Sequence, residues 1–157
     1  MYDTLSSFTA GLPELLQWVG VILIAAIPYV ESYGGSVIGI VTGINPVVAI
    51  IAAIIGNVIS MLIFVFVAHR VRAKVAAGRE PKPETPRRQK LRERFDRYGV
   101  VGVSLLGQTL LPSQITSAAM VSFGASRNAV IVWQIISIII WGVLFGVLAT
   151  FGVTALR

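Results

Sequence analysis

Apolar residues fill this chain in four long tracts, and charged positions fall almost wholly between them. Pro46 to Val67 is a nearly unbroken apolar run of 22 residues, which as a helix extends roughly 33 Å and crosses a ~30 Å hydrocarbon core. Asn128 to Val153 is longer, about 39 Å as a helix, and must tilt or project beyond the core. Both are predicted transmembrane helices. The tracts before them are interrupted: from Leu15 to Pro28 and from Gly99 to Pro112 is thirteen residues in each case. That length reaches only about 20 Å before a residue that removes a backbone donor and disfavours helix just ahead of it.

Each interrupted tract reads as one arm of a re-entrant hairpin. The return arms are predicted over Gly35–Gly43 and Gln114–Phe123, with turn signals at Thr42-Gly43-Ile44-Asn45 and Gly124-Ala125-Ser126-Arg127. Paired breaks at matching positions point to a transporter made of two inverted repeats. The expected fold is thus an all-α integral membrane protein with a re-entrant hairpin and a transmembrane helix in each repeat. A four-span kinked helical bundle is the other architecture the pattern allows. Hairpins put both termini outside and Arg127 in the cytoplasm; four spans reverse both.

Residues 1–157 read as a single membrane domain, with repeat one over about 15–69, a basic linker over about 70–98 and repeat two over about 99–157. The chain is 55% hydrophobic, with Glu31 the sole charge between Glu14 and His69, a pattern foreign to water-soluble domains. Of thirteen basic residues, eleven lie between Arg70 and Arg97, beside predicted spans. By the positive-inside rule this linker is cytoplasmic, and the net charge of +6 is explained without nucleic acid. The start Met-Tyr-Asp carries no base before the first apolar run, unlike a secretory signal. A multi-pass protein of a plasma (inner) membrane is expected. Pro81, Pro83 and Pro86 among the linker's charges predict an extended first part. Thr85 and Pro86 can then start a short helix with Leu91, Phe95 and Tyr98 on one face, suited to anionic lipid.

Cysteine is absent and His69 is the sole histidine, so neither a cysteine-containing zinc site nor a histidine cluster can form within one chain. No phosphate-cradling Gly-rich Lys-Ser/Thr motif occurs, and no serine has a plausible histidine base. Neither a cofactor nor an enzymatic activity is expected.

Glu31 is the most informative residue. An ionised carboxylate at membrane depth costs at least ~2.5 kcal/mol unless solvated or paired, so it is functional by default and can take up and release protons. A carboxylate near the interface, or one capping a broken helix, is the structural alternative. Pro28 and Tyr29 complete the first break. At the second, Gln108 and Thr109 precede Pro112, and Ser113, Gln114, Thr116 and Ser117 follow it; these suit substrate contact or the freed backbone of a broken helix. Asn57, beside Gly56, leads a further group with Ser60, Gln134 and Ser137 that can line the same cavity or join helices. Gly35, Gly39 and Gly43, like Gly142 and Gly146, recur every four residues and mark close helix packing. The expected site is therefore Glu31, Pro28, Tyr29, Asn57, Gln108, Pro112, Ser113, Gln114 and Thr116, with no metal.

The stretch IPYVESYGGSVIGIVTGINPVVAIIAAIIGN, Ile27 to Asn57, resembles the first half of the small multidrug export proteins, with a glutamate beside an Ile-Pro pair, a Gly-rich return and a Gly-Asn in the next helix. GVSLLGQTLLPSQITSAAMVSFGAS, Gly102 to Ser126, resembles their second hairpin. That family is similar in turn to the DedA-like (SNARE-associated, VTT) superfamily of membrane transporters. The resemblance implies opposed re-entrant hairpins and either proton-coupled transport or movement of a lipid such as a polyprenyl phosphate. DedA proteins tend to carry Gly-Arg and often Gly-Asp where this chain has Gly107-Gln108 and Gly56-Asn57. This chain therefore lacks the arginine that would bind phosphate.

The function expected is proton-coupled export of a small amphipathic or cationic compound by a small secondary transporter. A lipid flippase or scramblase and a membrane assembly or scaffold protein are the alternatives. Protons, membrane lipid and a small-molecule or lipid substrate are the expected partners. A homodimer is expected because each repeat encloses little volume.

Overall fold

The structure, a computed structural model, describes residues 1–75, 86–108 and 110–155. Among them it is helical with no strand: α1 (Tyr2–Ala10), a 3₁₀ turn (Glu14–Leu16), α2 (Gln17–Ala25), α3 (Glu31–Val41), α4 (Pro46–Val75), α5 (Pro86–Gly107), α6 (Ser113–Phe123) and α7 (Arg127–Ala155). The linker around Pro81 and Pro83 that the sequence predicts to be extended, with Thr85 and Thr109, lies outside the described residues.

α4 and α7 are long and apolar enough to cross a membrane. In the most apolar window of each, 33% of residues are buried. Val47, Ile51, Ile55, Ile59 and Ile63 leave an exposed apolar stripe along α4, one residue per turn. α4 starts where Asn45 Oδ1 accepts the Val47 amide at 3.0 Å, with Pro46 in the first turn. It ends at Val75, eight residues past the apolar run, because His69–Lys74 contains no helix breaker.

The chain forms two compact units, Met1–Ser60 with Ile138–Arg157, and Met61–Ser137. In the first, small residues let backbones approach. A methyl group added to Gly35 would stand 2.7 Å from Ala25 Cβ and 3.1 Å from Ala53 Cβ; one on Gly39 would meet Val21 at 3.1 Å and Ala49 at 2.8 Å. The pairs 25–35 and 21–39 run in opposite senses, so α2 and α3 pack antiparallel. The pairs 35–53 and 39–49 make α3 antiparallel to α4 as well. Gly142 of α7 lies against Ser32 and Ile54, and α1 lays Leu5 on the cluster Ile24, Val30 and Ile38.

In the second unit α5 packs against α6, with Gly107 beside Thr116 and the Phe95 and Phe123 rings 6.2 Å apart. α5 breaks at Gly99, whose φ of 66° is a left-handed conformation suited to glycine. That break separates the basic helix predicted from Pro86 from the apolar arm predicted from Gly99. Within the basic helix, Phe95 is half-buried, Tyr98 is exposed and the Arg97 guanidinium lies 5.2 Å from the Tyr98 ring centre.

Both return arms stop in the same way. The Ile44 amide bonds the Gly39 carbonyl and the Gly43 amide that of Ile40; the Ala125 amide bonds the Met120 carbonyl and the Gly124 amide that of Val121. With Gly43 at φ 93° and Gly124 at φ 113°, each is a Schellman cap. Arg72 Nη1 adds a second donor to the Val121 carbonyl at 3.2 Å, placing a cation at a helix C-terminus.

Candidate functional site

The first break is built from backbone. α2 closes with the Ala26 amide on the Ile22 carbonyl at 3.2 Å, and the Ile27 amide turns to Ile24 at 3.1 Å. Pro28 offers no donor. The Val30 and Glu31 amides both return to the Ile27 carbonyl, at 3.1 and 3.2 Å, so α3 begins at Glu31 rather than at Gly35. Tyr29 (φ 74°) and Glu31 (φ 54°) sit in the left-handed region, which costs a non-glycine residue about 1–2 kcal/mol. Such strain persists only where the surroundings hold it, and it concentrates at functional positions.

Two hydroxyls hold this break from other helices. Ser60 Oγ of α4 donates to the Ala26 carbonyl at 2.8 Å, since the Val30 amide that would serve that carbonyl in a continuous helix bonds Ile27 instead. Ser32 Oγ donates to the Ile138 carbonyl of α7 at 2.9 Å. Ser60 is thus a joining residue. Glu31 is fully buried, with Ser32, Ser36 and Asn57. The antiparallel register that pairs 39 with 49 and 35 with 53 brings Glu31 level with Asn57. Pro28 is half-buried, and Tyr29 is 53% exposed, so its ring lies outside the buried group; its carbonyl accepts the Tyr33 hydroxyl at 3.1 Å.

Among the described residues of the second break no non-glycine residue is left-handed. The Leu110 and Leu111 amides bond the Gly107 carbonyl, Pro112 is extended at φ −55° and ψ 144°, and the Thr116 amide opens α6 on the Pro112 carbonyl. Pro112, Ser113, Gln114, Thr116 and Ser117 are buried together there. Ser113 Oγ lies 3.4 Å from Gln114 Oε1, Ser117 Oγ donates to the Gln114 carbonyl at 3.0 Å, and Thr116 Oγ1 reaches the Leu111 carbonyl at 3.4 Å. Most of these hydroxyls therefore serve local backbone. Gln108 is buried one turn ahead of Pro112.

The predicted residues fall into two groups, Pro28, Tyr29, Glu31 and Asn57 in the first unit and Gln108, Pro112, Ser113, Gln114 and Thr116 in the second. Sequence reasoning missed Ser32, which bonds α7, and Ser104, buried four residues before Gln108; that spacing was the available signal. Among the described residues no group of three His, Cys, Asp or Glu side chains could hold a metal. No family profile matches the chain, and no curated protein or solved structure does so.

Proposed function

We propose that the chain is a small secondary transporter of the multidrug-export type that couples export of a small amphipathic or cationic compound to protons through Glu31. The burial of Glu31 at a strained helix break carries this reading. A carboxylate enclosed at membrane depth offers one group for which a proton and a cationic solute can compete. The exposed apolar lengths of α4 and α7 support insertion across a plasma membrane as a multi-pass protein. Antiparallel packing of α2 on α3 supports re-entrant hairpins over kinked spans, because helices of 9 and 11 residues reach only about 14 and 17 Å. The matching Schellman caps support two related repeats, and the resemblance to small multidrug export proteins agrees with all of this.

The test is Glu31→Gln in reconstituted vesicles, with uptake of a lipophilic cation driven by an imposed proton gradient. At least a tenfold loss of proton-driven flux is expected. Undiminished flux would sink the coupling role. A labelled polyprenyl phosphate in the same vesicles separates solute export from lipid translocation.

A further inference from the structure

Four buried polar side chains in the unit Met61–Ser137 stand outside the hydrogen bonding of both breaks. Ser104 and Gln108 lie four residues apart on α5, and Gln134 and Ser137 three apart on α7; each spacing puts the pair on one helix face. Gln108 is 7% exposed and the other three are 0% exposed. The two hydroxyls, and both the oxygen and the nitrogen of each amide, have no hydrogen-bond partner among the described residues.

Such a group shut away from water without a partner keeps the full cost of losing its hydration. Neighbouring hydroxyls show the alternative, since Ser117 and Ser122 bond backbone carbonyls of their own helix. The two stripes do not. None of the four is ionisable, so what they suit is an uncharged group that both donates and accepts. Water meets that description, and because all four are closed off here, solvating them requires another arrangement of the helices.

We propose that Ser104, Gln108, Gln134 and Ser137 form the wall of a path that fills with water in a second conformation of the protein. The inference rests on the transport reading, since alternating access needs such a state. Its test measures no flux, and therefore fails or succeeds independently of Glu31.

The chain contains no cysteine, which makes the test direct. Ser104→Cys and Ser137→Cys, with Gln108→Cys and Gln134→Cys as a second pair should a serine variant fail to fold, are treated in native membranes with a membrane-impermeant maleimide on both faces. Val65→Cys and Val121→Cys, at fully buried apolar positions of the same unit, are the controls. The path cysteines on both helices should react more than tenfold faster than the controls. Rates equal to the controls overturn the proposal, as does fast reaction confined to one of the two helices.

Discussion

Gly56 of α4 lies directly on the Ile22 carbonyl of α2, so close that a Cβ at position 56 would overlap that oxygen. The pairs 22–56 and 26–60 keep α2 and α4 in parallel register over one turn. Gly56→Ala must push the two helices apart along that contact. A loss of about 1–3 kcal/mol is expected from such overpacking, read as an earlier thermal unfolding in detergent, whereas Gly152→Ala, with open space around it, should be neutral. Equal melting of the two variants would count against the contact.

Tyr29 supplies a second prediction, because its φ of 74° is open to glycine and closed to branched side chains. Tyr29→Gly relieves a left-handed cost of about 1–2 kcal/mol and should unfold no earlier than the native chain. Tyr29→Ile adds a β-branch to a cost the tyrosine already bears and should unfold earlier. Identical unfolding of the two variants would show that the break is not held in the left-handed conformation.

A third concerns Ser60, whose hydroxyl serves the Ala26 carbonyl freed by the break. Ser60→Ala leaves that carbonyl without this donor in an apolar setting and should destabilise by about 1–3 kcal/mol. Ser60→Thr retains a hydroxyl and should recover most of the loss. Failure of threonine to do better than alanine would argue that packing, rather than the bond, is what serine supplies.

Much of this architecture is legible in the sequence for a physical reason. α4 and α7 are runs of apolar residues bounded by charge, and the two caps are glycines because each needs a positive φ. Gly99 likewise announces itself. The reversal at Pro28 shows in sequence as an interruption, but the left-handed turns at Tyr29 and Glu31 do not, since nothing local favours them and only tertiary packing holds them. α1 escaped notice because Tyr2–Ala10 is a short, mixed-polarity segment that docks on α2 and α3 rather than forming an apolar run. Which polar groups were partnered was also hidden: Ser32 and Ser60 bond carbonyls 106 and 34 residues away, and no spacing rule connects them.

The bond from Ser32 to Ile138 also sets a timetable. Met61–Ser137 is one continuous stretch, whereas the other unit needs residues from both sides of it. During synthesis the first hairpin is made early, yet the carbonyl that Ser32 bonds emerges 106 residues later. The continuous unit can assemble while the discontinuous one waits, as long-range contacts form last. Ser32, the residue after Glu31, therefore gains this partner only once α7 has been made, and a chain that stops before residue 138 leaves its hydroxyl without that carbonyl.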